Sequence, residues 1–214
     1  MRVKISASII EKTSNKTNYT HETYSMILNH LKSTTSKEIH QKKKFFRLLT
    51  FTNICINKDQ IHFYVAGEDQ LLQEFIEHIS FTQIIKIGDI VAKVTKIQEL
   101  TQLIKTKNDT YKFKSKVIIN INKDGKTQLC NDFKVVEERL VKNSIAKAKE
   151  LGYEGDIEIK LINPKHTFVN YKNGHVNSWR CMLEIKGDYD IVNTIYNVGI
   201  GENTASGHGF LWEV

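Results

Sequence analysis

The apolar positions of this chain alternate between the two-residue period of strands and the 3.6-residue period of helices. A helix with Tyr24, Ile27 and Leu28 on its buried face follows the first strand, and Thr20 is available as its cap. In chain order, the first half predicts a strand at 3–9, this helix, a short helix at 36–44, strands at 48–56 and 61–66, a helix around 71–79 and one or two strands within 84–97.

The second half predicts the same order of elements without a repeat at the level of residues. Its elements are a strand at 117–121, a long helix at 136–151 ended by Gly152, strands at 157–162 and 179–185 around a hairpin-like stretch, a helix around 191–195 and a strand at 210–213. The order strand, helix, strand, strand, helix, strand is that of a ferredoxin-like unit. We therefore predict an α+β protein of two tandem ferredoxin-like domains, 1–105 and 113–214, with the polar stretch 106–116 as the linker.

Four glycines lie in two Gly-x-Gly pairs within the C-terminal sequence GIGENTASGHGFLWEV, at Gly199, Gly201, Gly207 and Gly209. Such clustering indicates torsions that a Cβ atom forbids, or backbone pressed against a partner. Because exposed backbone N–H groups bind phosphate, we expect this loop, including His208, to contact RNA. The alternative is a tight hairpin with a bulge.

The charge of the chain favours a polyanionic partner. Lys and Arg number 31 against 24 Asp and Glu, a net charge of +7, although a solubilising surface has the same composition. A hydrophobic content of 40% argues against disorder.

Three cysteines, Cys55, Cys130 and Cys181, are too scattered for a disulfide framework or a zinc knuckle, and we expect neither a metal nor another cofactor. The sequence has neither a secretory signal nor a run of about 18 apolar residues, so we expect a cytoplasmic protein without a membrane partner.

Two segments resemble one known family. GIGENTASGHGF, after a helix and a Trp-containing strand, resembles the C-terminal signature of the CRISPR repeat-RNA processing endoribonucleases, the Cas6 family of the RAMP superfamily. TYSMILNHLKSTTSKEIHQKKKFFRLLTFTNI resembles that family's first helix, its histidine-bearing segment and the next strand. The resemblance implies tandem RRM-like domains that bind the repeats of precursor CRISPR RNA. It also implies metal-independent cleavage by 2′-hydroxyl attack, which leaves a 2′,3′-cyclic phosphate and a 5′-hydroxyl.

The resemblance also implies the catalytic residues. By position, the catalytic histidine is His40, the general acid or base, and the downstream basic residue is Arg47 after one inserted residue. Many members have a tyrosine in the first helix where this chain has Leu28. Tyr24, one turn earlier on the same face, is the candidate replacement, and a place for Tyr24 in the core is the alternative.

The residue types around His40 suit RNA cleavage. A histidine can move protons near neutral pH, and cations can stabilise the charge that gathers on the scissile phosphate. Lys44 and Arg47 are the candidate catalytic cations, whereas Lys42 and Lys43 are candidate RNA-binding residues. The alternative for this basic segment is a solvated helix end.

The second domain has further candidates for RNA binding. Lys165, Lys172 and Arg180 are interspersed with aromatic residues around the predicted hairpin, a mixture that suits RNA backbone and unstacked bases. A non-cleaving RNA-binding RAMP subunit of a CRISPR effector complex is the alternative function. The sequence leaves open the repeat recognised, whether that RNA forms a hairpin, and whether the protein is a monomer or a homodimer.

Overall fold

The computed structural model describes residues 1–16, 18–32, 48–123, 126–171, 174–202, 204 and 207–214. It divides into two compact units, Met1–Gln102 with Ala205–Gly207, and Leu103–Thr204 with His208–Val214. The short helix predicted at 36–44 lies outside the described residues. No helix within the described ranges is long and apolar enough to cross a membrane.

The first unit has one antiparallel sheet with two described helices. Its elements are β1 (Arg2–Lys12), α1 (Thr20–Asn29), β2 (Leu49–Phe51), β3 (Cys55–Asn57), β4 (Gln60–Gly67), α2 (Asp69–Thr82), β5 (Ile84–Ile87) and β6 (Ile90–Glu99). The strand order is β2-β4-β1-β6-β5, with β3 also paired to β4. The first strand predicted after α1 is therefore two short strands, separated at residues 52–54.

The alternation of apolar residues along the strands and the N-terminal cap of α2 explain the local structure of this unit. Val3, Ile5 and Ala7 are buried in the core, as the alternating pattern of β1 predicts. The Glu68 carboxylate accepts hydrogen bonds from the amides of Gln70 and Leu71, which satisfies the free N–H groups at the start of α2.

The second unit repeats the arrangement. Its elements are β7 (Thr110–Val117), β8 (Asn120–Lys123), β9 (Lys126–Leu129), α3 (Phe133–Glu150), β10 (Ile157–Tyr171), β11 (Gly174–Gly187), α4 (Tyr189–Val198) and β12 (Trp212–Glu213). The main sheet has the order β10-β11-β7-β12, and β8 and β9 form a separate hairpin. In both units, the strand after the first helix and the last strand lie on opposite sides of the central pair, which is the ferredoxin-like order.

The predicted linker at 106–116 is wrong, because β7 occupies most of it. Tyr111, Phe113 and Val117 are buried, whereas the lysines between them are exposed. This segment is therefore an amphipathic strand at the centre of the second sheet. The strand predicted at 117–121 shares only Val117 with β7, and its other residues are 118–119 and the start of β8.

Candidate nucleic-acid interface

The residues from 199 to 209, here called the glycine-rich segment, follow α4 directly. Gly199, Gly201, Gly207 and Gly209 have φ angles of +84°, +78°, +77° and +74°. This left-handed conformation is unfavourable for residues with a Cβ atom. Gly207 is half-buried and is grouped with the first unit. The cluster of glycines is therefore explained by four positive φ angles, which glycine adopts without strain.

Close backbone approach explains Gly209 in particular. A Cβ atom there would lie 2.0 Å from the carbonyl oxygen of Ile200. The Ile200 amide donates to the Gly209 carbonyl at 2.9 Å, and the Gly209 amide donates to the Lys116 carbonyl at 2.8 Å. The Gly209 amide thus has an internal partner, which favours internal packing over phosphate binding as the reason for this glycine.

A buried lysine holds the beginning of the glycine-rich segment. Lys147 on α3 is only 2% exposed. It donates to the carbonyl of Gly199 at 2.7 Å and to that of Gly201 at 3.1 Å. The sequence analysis did not select Lys147. Its position could have indicated burial, because it lies on the same helical face as the buried residues Leu140, Ser144 and Ala148 of α3.

A polar network fixes Glu202 in the same segment. One Glu202 carboxylate oxygen accepts from the backbone amide of Asn120 at 3.1 Å and from its side-chain amide at 3.0 Å. Arg139 of α3 donates to the Asn120 carbonyl at 2.5 Å. The Glu202 amide in turn donates to the Ile118 carbonyl at 3.0 Å. These bonds give the acidic side chain internal partners next to the glycines.

His208 is buried within the segment. Its side chain is 1% exposed, so the imidazole is part of the packing of the described structure. Direct contact between this imidazole and RNA would require a rearrangement, and it stays a prediction. Its burial was not foreseeable from a flanking sequence rich in glycine.

A row of basic residues crosses the second sheet. Lys165 of β10 lies opposite Arg180 of β11, which lies opposite Lys116 of β7. All three side chains are exposed, on the sheet face opposite the core residues. Two of the predicted RNA-binding residues, Lys165 and Arg180, thus lie next to Lys116. The sequence analysis did not select Lys116, because it placed this residue in the linker. Lys172 lies outside the described residues.

An exposed aromatic side chain lies near this row. Trp212 of β12 pairs in register with Lys114, and its side chain is 39% exposed. The Phe210 and Trp212 ring centroids are 4.8 Å apart. An aromatic surface beside cations suits an unstacked base next to its phosphate.

The first sheet also has a basic face that the sequence reasoning missed. Lys4 pairs with Tyr64, and its ammonium lies 5.7 Å from the centroid of that ring. Burial, and secondarily the charge of Lys4, lower the pKa of His62, whose ring contacts Tyr64. Lys93 and Lys96 are exposed on β6, opposite Ser8 and Ser6 of β1.

The candidate catalytic cluster falls mostly in a part of the chain that is not described. His40, Lys42, Lys43, Lys44 and Arg47 lie outside the described residues.

Tyr24 is described, and it lies in the core of the first unit. Its side chain is 8% exposed, and its ring stacks on Phe51 with a centroid distance of 6.3 Å. Leu28 is also buried. The structure thus supports the core alternative for Tyr24, and its catalytic role stays a prediction.

Comparison with known proteins identifies the family. Residues 95–212 match the family model for the CRISPR associated protein Cas6, C-terminal. This chain belongs to the Cas6 family. The match includes the sheet of the second unit and the whole glycine-rich segment. No curated protein resembles the chain significantly in sequence.

Cas6 structures share the fold over the whole chain. A Cas6-related protein of Pyrococcus furiosus is 22% identical, with a TM-score of 0.82, and the alignment covers 100% of this chain and 98% of the other. A structure described as a RAMP protein binding different RNA substrates is 20% identical, with a TM-score of 0.79 and coverage of 100% and 99%. Another Cas6 structure is also 20% identical, with a TM-score of 0.76 and coverage of 100% and 99%.

The family and the fold confirm the expectation drawn from the sequence. The protein is an α+β protein of two ferredoxin-like units, and Cas6 proteins are, as a family, RNA-binding endoribonucleases that process CRISPR RNA.

Proposed function

We propose that this chain is a metal-independent endoribonuclease that cuts the repeats of precursor CRISPR RNA by attack of the 2′-hydroxyl. The observation that carries the proposal is the Cas6 family match over residues 95–212. The products are a 2′,3′-cyclic phosphate and a 5′-hydroxyl, because the nucleophile belongs to the RNA itself.

His40 is the proposed proton-transfer residue. It takes the proton of the 2′-hydroxyl or gives one to the leaving 5′-oxygen, and a positioned group of this kind contributes about 10²- to 10⁴-fold. Arg47 and Lys44 stabilise the negative charge of the scissile phosphate. The support for these three residues is the resemblance of residues 23–54 to the corresponding Cas6 segment.

Lys165, Arg180 and Lys116 form the proposed binding row for the RNA backbone. Their cross-strand alignment and exposure support this role, since a series of cations can follow successive phosphates. Trp212 offers a stacking surface next to Lys114. RNA binding by the glycine-rich segment rests on the family resemblance and on the position of the segment beside β7.

A direct test replaces His40 with Ala and compares cleavage and binding of a labelled repeat RNA. We expect the loss of most cleavage, with a dissociation constant within about threefold of the wild type, because the cations along the RNA backbone supply most of the phosphate binding and His40 is only one side chain. His78→Ala is the matched control, since His78 is an exposed histidine of α2. Wild-type cleavage rates in His40→Ala would refute the assignment.

A non-cleaving RNA-binding subunit of a CRISPR effector complex is the second candidate function. The buried positions of Tyr24 and Leu28 favour it, because neither side chain is exposed to a substrate. This candidate predicts a stable complex of the wild-type protein with repeat RNA and no product after long incubation.

A further inference from the structure

We propose that Lys147 is a positioning residue that holds the glycine-rich segment in its RNA-binding conformation. This inference rests on the proposed RNA-binding role of that segment. Lys147 itself is buried and does not touch RNA. It acts through the two glycine carbonyls to which it donates.

Burial of the Lys147 side chain is energetically costly. A buried ammonium loses its hydration, so it needs polar partners in the interior, and the carbonyls of Gly199 and Gly201 are two of them. The other buried positions of α3 that contact the core carry Val136, Leu140 and Ala148. For core packing alone, an apolar side chain would be more favourable than a lysine at this position. We therefore attribute the lysine to its hydrogen bonds with the glycine-rich segment.

The geometry of the two hydrogen bonds restricts the backbone of the glycine-rich segment. Gly199 and Gly201 flank Ile200, and both carbonyls accept from the same ammonium. Two bonds from one cation fix the orientation of two peptide groups in a stretch with left-handed φ angles. Without the ammonium, these buried carbonyls would lose their charge-assisted donors, and the glycine torsions would be freer to change.

The glycine-rich segment is also held by other contacts. The Ile200 amide donates a hydrogen bond to the Gly209 carbonyl, and the Glu202 amide donates to the Ile118 carbonyl. A Cβ atom at Gly201 would lie 3.1 Å from the Ile118 carbonyl oxygen and 3.3 Å from a Leu140 methyl group. Lys147 thus lies beneath a closely packed backbone, so its loss would be transmitted to the conformation of the segment.

The test compares Lys147→Met with Lys149→Met in RNA cleavage and in amide hydrogen exchange. Lys149 is exposed on the same helix, so its replacement removes an equal charge without touching the glycines. We expect Lys147→Met to raise KM about tenfold, equivalent to about 1.4 kcal/mol, with kcat within about twofold. The amides of Glu202 and Gly209 should exchange at least about tenfold faster, while that of Leu183 in the central strand keeps its rate. Lys149→Met should change none of these quantities.

A folded Lys147→Met variant with the KM and the segment protection of Lys149→Met would overturn the inference, whatever its melting temperature. If Lys147→Met does not fold, Lys147→Gln decides, since its amide can replace one of the two bonds and should raise KM by a smaller factor. A wild-type protein that neither binds nor cuts repeat RNA would instead refute the proposed function. In that case, the exchange rates of Glu202 and Gly209 still test whether Lys147 holds the segment.

Discussion

Replacing Gly209 with Ala tests whether backbone crowding is the reason for a glycine at this position. The new methyl group would lie 2.0 Å from the Ile200 carbonyl oxygen and 2.9 Å from the Ile200 nitrogen. Both neighbours are backbone atoms in a paired segment, so they cannot move aside as a flexible side chain can. The φ of +74° adds a conformational penalty for any residue with a Cβ atom.

The expected loss of stability has three parts. The left-handed conformation costs about 1–2 kcal/mol. Losing the hydrogen bond from the Ile200 amide to Gly209 costs about 1 kcal/mol. Displacing the backbone to make room costs about 1–3 kcal/mol, as in overpacked cores. With a small gain from restricting the unfolded chain, Gly209→Ala should destabilise the second unit by about 4 kcal/mol.

Gly152→Ala is the matched control. Gly152 has a φ of +84°, and a Cβ atom there would meet nothing within 4 Å. This variant therefore bears only the conformational penalty, which we expect to be about 1 kcal/mol after the gain in the unfolded state. The assay is urea denaturation followed by the fluorescence of the two tryptophans, Trp179 and Trp212, both of which lie in the second unit. Equal destabilisation by the two substitutions would refute the crowding argument.

Three other predictions concern charge, thiols and pH. Arg180→Gln should reduce the slope of log K against log salt for single-stranded repeat RNA by about 0.7, the value of one phosphate contact, and an unchanged slope would remove Arg180 from the interface. Thiol titration at pH 8 should modify Cys55 alone in the native state, because Cys55 is exposed, Cys130 is buried, and burial raises the pKa of Cys181 to about 12. Rapid reaction of all three cysteines would contradict the burial. Burial, and secondarily the neighbouring His78, lower the pKa of His30, so the unfolded chain binds a proton more readily and the contribution of His30 to stability should be lost as the pH falls below about 6.5. His30→Gln should flatten this loss in acid denaturation curves, and an unchanged curve would show that His30 does not contribute.

The local period of apolar residues was enough to predict most elements of this fold. The stripe Leu71, Leu72 and Phe75 identified α2, and the alternation from 3 to 9 identified β1. Most of β7 was missed, because its outward lysines resemble a polar linker when the buried Tyr111 and Phe113 between them are given too little weight. The order of elements then led to the correct fold, since few topologies are compatible with it.

The candidate interface was less predictable, because it depends on contacts between distant residues. Lys165 and Arg180 were identified by their type, but the sequence does not show that Lys116 aligns with them across two strands. Lys147 bonds carbonyls 52 and 54 residues away, which no local pattern reveals. The burial of His208 likewise follows from tertiary packing.

Incubation of the purified protein with a labelled RNA spanning one CRISPR repeat, in the presence of EDTA, tests whether the protein cuts the repeat by metal-independent attack of the 2′-hydroxyl. The fragments and their end groups are then resolved. We expect a single cut per repeat, with a 2′,3′-cyclic phosphate on one fragment and a 5′-hydroxyl on the other. A stable complex without a cut would contradict cleavage and support the RNA-binding subunit, whereas fragments with 3′-hydroxyl and 5′-phosphate ends would contradict attack by the 2′-hydroxyl.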